Sequence, residues 1–318
     1  MKASQSQVDA VVVTADTRDL ALAALEGLAG DSAVARAVVV DNASNDGTAE
    51  AVRERFPDAH VVRLDRPVGY AAACNRGASE GSSRLVLFLN SDVVAEPGAV
   101  SCLAAALSGR DGAVAAGGRL VDPADGSTQH QYGPKPFPSV LRLLVMFSGI
   151  ADLWPRNLVT GGHLRHPLDE GATAAVEQPA GACFMVMRDE LEAVGGFDER
   201  FWFWYEDVDL ARRLAGRGTL LYVPAAVFAH LGGESFARWD KERWVRSHYH
   251  GALRYAEAHL SRLQRLVLGI SVAGLLAPRV ALYARRDHGL ADAYRAALLA
   301  ALALACDRPV RSLVGETR

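Results

Sequence analysis

The chain has few cysteines, and they do not have the spacing of a metal or redox motif. Its 318 residues include Cys74, Cys102, Cys183 and Cys306, which lie far apart and form no CxxC pair. A disulfide framework is typical of short, cysteine-dense chains and a cysteine-based zinc site of CxxC pairs, so the sequence argues against both. Scattered apolar cysteines are typical of a reducing compartment, and we therefore expect a cytoplasmic protein.

Charge of one sign is not in excess, and the N-terminal apolar run is short. The net charge is −3 and 50% of the residues are hydrophobic. These values exclude a disordered chain and a protein that binds nucleic acid through bulk charge. The run VDAVVVT is too short for the core of a signal peptide, so we expect no export. The length predicts one large domain or two of moderate size.

Two common phosphate-binding motifs are also missing. The first apolar run is followed by Thr14-Ala15-Asp16-Thr17, and the chain contains neither GxGxxG nor GxxxxGK[ST]. The first motif is typical of dinucleotide-binding folds and the second of P-loop enzymes. Their absence argues against a dehydrogenase and against a P-loop nucleotide hydrolase.

Apolar runs alternate with helical patterns through the first 120 residues. The alternation predicts strands at 8–14, 37–41, 60–64, 84–89 and 113–117, with helices at 18–29, 47–56, 70–79 and 97–107 between them. Such a rhythm predicts an α/β fold with a parallel sheet and helices on both of its faces. Ligands of such sheets bind at the carboxyl ends of the strands.

Polar residues follow two of these strands directly. Asp41 and Asn42 end the second strand, and Asn90-Ser91-Asp92 ends the fourth. A carboxylate at Asp41 can accept hydrogen bonds from a nucleobase or a ribose, and one at Asp92 can hold Mg²⁺ or Mn²⁺ beside phosphate groups. Each segment is also consistent with a turn that caps the following helix.

Residues 195–213, GGFDERFWFWYEDVDLARR, combine acids with aromatic rings. The four carboxylates belong to Glu199, Glu206, Asp207 and Asp209. Aromatic rings exclude water and strengthen each charge, which suits a general base for a hydroxyl group. The alternatives are a structural ion-pair site and, for Trp202 and Trp204, core packing instead of stacking on a sugar ring. Asp209 is expected to pair with Arg212 or Arg213.

The remaining sequence divides into an irregular segment and an apolar tail. Residues 129–175 contain five prolines and predict a long mobile loop on the acceptor side. Residues 220–223 and 227–230 predict two short strands, and residues 240–259 predict a helix. Two apolar runs follow at 266–284 and 296–305, and Arg285 and Arg286 come directly after the first. Apolar helices with arginine flanks suit an anionic membrane surface. A helical hairpin buried on the main domain or in a dimer is the alternative.

Six motifs occur in a characteristic order. They are VVVT, VDNASNDGT, RPVGYAAACNRGA, LNSD, GACFMVMR and GGFDERFWFWYEDVDLARRL. Together they resemble the inverting family 2 glycosyltransferases, over about residues 10–236, and most closely the branch of bacterial rhamnosyltransferases. The resemblance implies a GT-A fold, with a Rossmann-like, mostly parallel central sheet, flanking helices and a C-terminal helical extension. It also implies a GT-A domain at 1–240, divided at residue 120 into nucleotide-binding and acceptor halves, and an extension at 241–318.

The resemblance implies a role for each motif residue. The residues implied for the nucleotide sugar are Thr14, Asp16, Asp41, Asn42, Gly69, Asn75, Asn90, Ser91 and Asp92. Asp92 and His230 are implied to hold Mg²⁺ or Mn²⁺ at the diphosphate. Asp207 is implied as the general base, with Glu206 beside it, and Trp202, Trp204 and Tyr205 are assigned to the acceptor. The first acid of the DxD motif is replaced by Asn90, which weakens the metal site.

The resemblance also implies the reaction and its partners. We expect inverting transfer of a sugar, rhamnose from dTDP-rhamnose, to a hydroxyl of a glycan or a polyprenyl-linked acceptor at the inner face of the cell membrane. A membrane surface and a second copy of the chain are further partners to test, and nucleic acid is not one. Two alternatives stay open at this point, namely a non-catalytic protein that binds nucleotide sugars or glycans on the same fold, and a hydrolase that uses the paired carboxylates.

Overall fold

The computed structural model of the chain describes residues 7–165, 168–232 and 239–314. Within these ranges the chain forms two compact units. The first contains residues 7–137, 168–198 and 207–232, and the second contains residues 138–165, 199–206 and 239–314. The domain boundaries expected at residues 120 and 240 stay predictions.

Strands and helices follow one another along the chain nearly as the sequence predicts. The strands are β1 Val8–Thr14, β2 Val34–Asp41, β3 His60–Arg63, β4 Leu85–Asn90, β5 Val93–Ala95, β6 Ala113–Val121, β7 Ala174–Val176, β8 Cys183–Met187 and β9 Thr219–His230. The helices are α1 Arg18–Leu28, α2 Thr48–Arg55, α3 Tyr70–Ala78, α4 Ala99–Ser108, α5 Val140–Ser148, α6 Ile150–Leu153, α7 Gly162–Arg165, α8 Arg188–Ala193, α9 Glu206–Ala215, α10 Lys241–His259, α11 Arg262–Tyr283 and α12 His288–Ala305.

The strands of the first unit form one sheet in the order β3-β2-β1-β4-β8-β6-β9-β5, and β7 pairs with β9. Strands β1, β2, β3, β4, β6 and β9 run in the same direction, whereas β5, β7 and β8 run the opposite way. The sheet is therefore mostly parallel. This architecture confirms the predicted α/β fold class.

Strand β1 is buried along its whole length. Val8, Ala10 and Val12 pack in one hydrophobic cluster, together with residues of α1 and α4. Val11 and Val13 pack in a second cluster on the opposite face, together with residues of α3 and α9. Because successive side chains of a strand point to opposite faces, helices on both faces require apolar residues at nearly every strand position. This requirement explains the continuous apolar run in the sequence.

The register of the parallel strands brings their polar ends to one edge. Thr14 of β1 lies opposite Asp41 of β2, and Val13 lies opposite Asn90 of β4. The loops that follow these strands therefore begin side by side. Asn42 N–H donates to Thr14 O at 2.8 Å and continues the ladder one step beyond the strands.

Two expectations about local structure were wrong. Residues 129–175 are not a continuous irregular loop, since they contain α5, α6 and α7 and most of β7. The prolines obscured α5, whose first turn is capped by Ser139 Oγ. The two short strands expected at 220–223 and 227–230 are one strand, β9. The register of β9 on β6 shifts between Gly118 and Arg119, so β9 passes through its proline at a bulge.

The second unit contains α10, α11 and α12, and the last two form a closely packed pair. Gly269 of α11 lies against the backbone of Ala301 and the side chain of Ala305, where a methyl group would overlap them. The N-terminus of α11 carries a capping box formed by Ser261 and Gln264. Among the described residues, α11 alone has the length and apolar composition of a membrane-crossing helix, and 28% of its most apolar window is buried.

Candidate active site

Asp41 lies at the carboxyl end of β2, and only 1% of its surface is exposed. Its Oδ1 accepts the Ser44 N–H at 2.8 Å and so closes the turn after the strand. Its Oδ2 has no hydrogen-bond partner, and Arg63 Nε is 4.0 Å away. Buried carboxylate oxygens normally accept a hydrogen bond, so the position suits a donor group of a ligand.

Asn42 and Asp16 hold the neighbouring loops through backbone groups. Asn42 Nδ2 donates to Val68 O at 2.9 Å, and its Oδ1 accepts the Val68 N–H at 2.8 Å. Asp16 has a φ of 53°, and its Oδ1 accepts the Asn45 N–H at 2.7 Å. These bonds fix the loops before any ligand binds, so both residues shape the edge of the sheet.

A line of hydroxyl groups joins the ends of β1 and β4. Thr14 Oγ1 lies 2.8 Å from Thr17 Oγ1, which lies 3.1 Å from Ser91 Oγ. Thr14 and Ser91 are both buried. Each hydroxyl can donate or accept, so the line adapts to donors and acceptors of a bound molecule.

Helix α3 and its N-cap contain two residues predicted to contact the nucleotide sugar, Gly69 and Asn75, which have different surroundings. Gly69 is its N-cap, and Tyr70 Oη donates to Asn90 Oδ1 at 2.8 Å. Asn75 accepts the Phe197 N–H and donates to Phe197 O, each at 2.9 Å. The amide of Asn75 therefore anchors the turn before residue 198. The nucleotide contact assigned to Asn75 stays a prediction.

Asp92 and His230 face each other across a pair of antiparallel strands. Val93 lies opposite His230 in the ladder, and Leu231 N–H donates to Asp92 O at 3.0 Å. Both side chains are buried, and Asp92 Oδ1 lies 3.9 Å from His230 Nε2 without any hydrogen-bond partner. Backbone pairing brings these two residues together from distant parts of the unit's sequence.

Gln129 fixes the tautomer of His230. Gln129 Nε2 donates to His230 O at 2.9 Å, so the amide oxygen Oε1 is the atom that lies 2.8 Å from His230 Nδ1. An amide oxygen only accepts, and therefore Nδ1 carries the proton. Burial lowers the pKa of His230, against the opposing effect of Asp92, and keeps the ring neutral. The Nε2 lone pair then points toward Asp92.

The Asp92–His230 pair fits a divalent metal ion. A metal-binding histidine usually donates its other ring N–H to an acceptor, as His230 does to Gln129. The 3.9 Å between Asp92 Oδ1 and His230 Nε2 can be spanned by two metal–ligand bonds of about 2.1 Å each. Among the residues that the structure describes, no group of three or more His, Cys, Asp or Glu side chains could hold a metal ion. Phosphate oxygens and water would have to complete the coordination.

Asp207 is the second residue of α9, and its carboxylate packs directly on Gly181. A methyl group at Gly181 would overlap the Asp207 carboxylate. The next residue of the same segment, Ala182, accepts the Asn90 N–H through its carbonyl at 3.0 Å. Residues 181–182 therefore connect Asp207 to the start of Asn90-Ser91-Asp92.

The surroundings of Asp207 favour a base. Burial raises the pKa of Asp207, while the Val208 N–H bond to Oδ1 at 2.9 Å and the charge of Lys135 lower it. A carboxylate with a raised pKa accepts a proton more readily than a free one. Glu206 is buried and belongs to the second unit, so its predicted catalytic role stays a prediction. Asp209 pairs with Arg213 at 2.7 Å, as expected.

The aromatic residues predicted for the acceptor lie in the second unit. Trp204 is the centre of a cluster whose ring centroids lie 5.3 Å away for Phe203, 5.7 Å for Trp239, 5.5 Å for Trp244 and 5.7 Å for His248. Trp202 and Trp204 are half-buried, and Trp244 is 39% exposed. Burial lowers the pKa of His248 to about 4, so the ring is uncharged at neutral pH. The cluster therefore exposes aromatic rings to solvent, except on the face of Trp239 that the Arg243 guanidinium covers at 4.1 Å from the ring centroid.

Two neighbouring residues of the aromatic-acidic stretch have a strained backbone. Trp204 and Tyr205 have φ values of 67° and 69°, which bulky residues rarely adopt. Gly251 of α10 permits the close approach, because a methyl group there would overlap Trp204 O. Tyr205 is buried, and its hydroxyl lies 3.9 Å from Met146 Sδ. Strain of this kind is typical of functional segments.

Comparison with known proteins identifies the family. The family model described as glycosyl transferase family 2 matches residues 11–159, and that described as the N-terminal domain of galactosyltransferase matches residues 163–230. The N-acetylglucosaminyl-diphospho-decaprenol L-rhamnosyltransferase of Mycobacterium tuberculosis is 32% identical over 260 residues, which cover 78% of this chain and 83% of the relative. The chain belongs to glycosyl transferase family 2. It is a glycosyltransferase, as the ordered motifs imply.

Solved structures show the same fold for this glycosyltransferase. The mannosyltransferase PcManGT from Pyrobaculum calidifontis, in complex with GDP-Man and Mn²⁺, has a TM-score of 0.56 and 17% identity, covering 94% of this chain and 88% of that one. GalNAc-T7 with UDP, GalNAc and Mn²⁺ has a TM-score of 0.54 and 15% identity, covering 81% and 51%. These similarities support the GT-A fold.

Several residues of the glycosyltransferase's site escaped the sequence analysis. They are Thr17, Tyr70, Gln129, Lys135 and Gly181 in the first unit, and Trp239, Trp244 and His248 in the second. Gly181 belongs to the motif GACFMVMR, so its presence there was a usable signal. Gln129 and Lys135 lie in a proline-rich stretch with no motif, and nothing in the sequence pointed to them.

We predict that Gly181→Ala impairs turnover because the added methyl group displaces the Asp207 carboxylate. A misplacement of about 1 Å lowers the rate about 100-fold, so we expect a loss of that size in kcat. Initial-rate measurements on the purified enzyme test this. Gly216→Ala is the matched control, since its methyl group would make only an ordinary contact with Arg213 O. Equal kcat values for the two variants would disprove the proposed packing constraint.

Proposed function

We propose that this glycosyltransferase moves a rhamnosyl group from dTDP-rhamnose to a hydroxyl of a polyprenyl-diphosphate-linked sugar, with inversion at the anomeric carbon. The relative's name describes transfer of L-rhamnose to N-acetylglucosaminyl-diphospho-decaprenol. The observation that carries the proposal is the connection of Asp207 through Gly181 and Ala182 to Asn90. Residues 181–182 thus contact both Asp207 and Asn90, which supports a base close to a diphosphate-binding motif.

The donor nucleotide would bind at the carboxyl edge of the parallel strands. Asp41 Oδ2, buried and without a hydrogen-bond partner, would accept from the base or the ribose. Thr14, Asp16 and Asn42 would line the base pocket around it. The other residues assigned to the nucleotide sugar are Gly69, Asn75, Asn90, Ser91 and Asp92. Buried acceptors at this edge select a ligand rich in N–H and O–H donors.

Asp92 Oδ1 and His230 Nε2 would hold Mg²⁺ or Mn²⁺ at the diphosphate. Such an ion offsets the negative charge that develops on the departing diphosphate. Gln129 keeps His230 in the tautomer that binds a cation. The described residues offer only two protein ligands for the cation. The nucleotide-sugar donor and the cation would therefore bind together, with the diphosphate supplying further ligands.

Asp207 would act as the general base of a single displacement. Its carboxylate takes the proton of the acceptor hydroxyl while the hydroxyl oxygen bonds to the anomeric carbon of the donor. The bond from that carbon to the diphosphate oxygen breaks on the opposite side, so the configuration inverts. The pKa of Asp207 is raised by burial, and the acid form cannot accept the proton. Activity is therefore full above this pKa and is lost as the pH falls through it.

The second unit would bind the acceptor. Trp202 and Trp204, with the ring of Trp244, would offer aromatic faces that stack on sugar rings or on isoprene units. Tyr205 is buried under the segment and would support it rather than contact the acceptor. Glu206 would help to orient the acceptor hydroxyl.

The outer face of α11 would bind a membrane surface. Its exposed apolar residues are Leu263, Leu266, Val267, Ile270 and Leu282. Leu263, Leu266, Val267 and Ile270 share one face of the helix. The small exposed residues Gly274, Ala277 and Ala281 continue this apolar stripe, which is about 27 Å long at 1.5 Å per residue. Arg262 precedes the stripe, and Arg285 and Arg286 follow it, all exposed. An apolar face with arginine ends matches an anionic bilayer, which would hold the enzyme at the inner face of the cell membrane near a lipid-linked acceptor.

We predict that Asp207→Asn lowers kcat by at least about 100-fold, because the amide cannot accept the hydroxyl proton. Donor binding should stay within about twofold, since the amide keeps the shape of the side chain. Transfer and donor affinity are measured with dTDP-, UDP- and GDP-sugars, and free sugar is measured in the same reactions. An active Asn variant would rule out the base role of Asp207, and release of free sugar without acceptor dependence would indicate a hydrolase.

We predict that the Asp92–His230 pair binds Mn²⁺ in the presence of dTDP. Asp92→Asn and His230→Gln should each weaken the affinity more than about tenfold. Electron paramagnetic resonance of free Mn²⁺ measures this without any turnover. Asp19→Asn is the control, because Asp19 is an exposed acid on α1. Unchanged affinity in both site variants would remove the two residues from the metal site.

We predict that the full chain sediments with vesicles that contain phosphatidylglycerol and less with purely zwitterionic vesicles. The double variant Leu266→Glu, Ile270→Glu should lose at least about tenfold in binding, since each leucine or isoleucine contributes about 1.5–3 kcal/mol when it leaves water. Leu153→Glu, at a residue 89% exposed in α6, is the control. No vesicle binding, together with a dimer that the double variant dissociates, would assign the stripe to a subunit interface.

A further inference from the structure

The loop of residues 133–137 is held firmly against the segment that leads to β8. Lys135 N–H donates to Gln178 O at 3.2 Å, and Gln178 Nε2 donates to Pro136 O at 3.0 Å. Phe137 N–H donates to Glu177 Oε2 at 2.7 Å. These bonds join the loop to the stretch that continues, three residues later, to Gly181. The loop therefore has a fixed position relative to the glycine on which Asp207 packs.

A second contact fixes the loop to the helix that carries Asp207. The guanidinium of Arg212 in α9 lies over the Phe137 ring, 4.7 Å from its centroid. A cation above an aromatic face is attracted by the negative face of the ring. Loop 133–137 is thus tied on one side to residues 177–178 and on the other to α9.

Lys135 lies at the centre of this loop. Its side chain is exposed to solvent. Burial by the surrounding protein nevertheless lowers the pKa of its ammonium group, and the charge of Asp207 raises it. The ammonium end of the side chain is therefore enclosed by protein, although the residue as a whole is exposed. The ammonium and the Asp207 carboxylate are close enough for their charges to interact.

The other charged groups around Asp207 in the first unit are committed elsewhere. Arg213 binds Asp209 and also donates to Val194 O and Gly196 O. Arg212 lies on Phe137, and Glu177 accepts the Phe137 N–H. Within the described part of the chain, Lys135 is the cation whose charge lowers the pKa of Asp207.

We propose that Lys135 is a positioning residue for the general base, which holds the Asp207 carboxylate in its anionic form and directs it toward the acceptor hydroxyl. The proposal rests on the proposed function of Asp207. In this role Lys135 does not contact the substrate. It acts through the charge that it presents from a rigid loop.

The expected consequence is a shift in pH dependence. Burial raises the pKa of Asp207 and Lys135 opposes that effect, so removal of the ammonium charge raises the pKa further. The acid limb of kcat/KM should then move to higher pH by about one unit in Lys135→Met. Below the limb the loss relative to wild type is about tenfold, and at high pH the activity recovers.

The experiment compares pH profiles of Lys135→Met, Lys135→Arg and Lys241→Met. Arginine keeps the positive charge and should restore the wild-type limb, whereas Lys241, over the Tyr283 ring in the second unit, is the matched control for the loss of a lysine. A uniform loss of activity at every pH in Lys135→Met would show that the residue only supports the loop, and would overturn the proposal. An unshifted profile would overturn it as well.

A second measurement needs no turnover. The carboxyl carbon of Asp207 is followed by ¹³C NMR in aspartate-labelled protein, with Asp207→Asn to identify its resonance. The titration midpoint should rise by about one unit in Lys135→Met and stay unchanged in Lys241→Met. An unchanged midpoint in Lys135→Met would refute the role of Lys135 even if transfer is observed. A shifted midpoint in a protein without transferase activity would support the pairing and count against the proposed function instead.

Discussion

The polar edge of the first unit depends on the register of its parallel strands. Thr14 lies opposite Asp41, and Val13 lies opposite Asn90, so the strands end within one residue of each other. A slip by a single residue would turn every buried side chain of a strand to the other face, and both hydrophobic clusters would be lost. The same apolar packing that stabilises the sheet therefore fixes the place where carboxylates, amides and hydroxyls gather.

Most of the parallel strands of the first unit could be predicted from the sequence, for a physical reason. Strands buried on both faces are continuous apolar runs, and the first polar residues after each run mark the edge of the sheet. Asp41 and Asp92 could be found in this way. Each also takes part in local structure, since Asp41 closes a turn and Asp92 precedes a short strand. The pattern therefore located the edge but could not assign the ligands.

Contacts between distant residues were beyond the sequence pattern. Gln129 and His230 are separated by 101 positions, and their pairing follows from the junction of β5, β6 and β9. Lys135 reaches the neighbourhood of Asp207 through a proline-rich loop whose bonds to residues 177–178 leave no periodic signal. The proline in β9 likewise suggested a break, whereas the strand continues through a bulge. Local rules describe local structure, and these features are products of tertiary packing.

The bonds between Gln129 and His230 determine what this edge can admit. With its proton held by Gln129, the imidazole presents electron density toward the equally electron-rich oxygen of Asp92, 3.9 Å away. Two such groups repel any third one, including the oxygens of a free diphosphate. We therefore expect this edge of the sheet to repel a bare polyanion and to accept one whose charge a cation offsets. In this arrangement the amide of Gln129, remote in sequence from His230, would help to select the charge state of the molecule that binds.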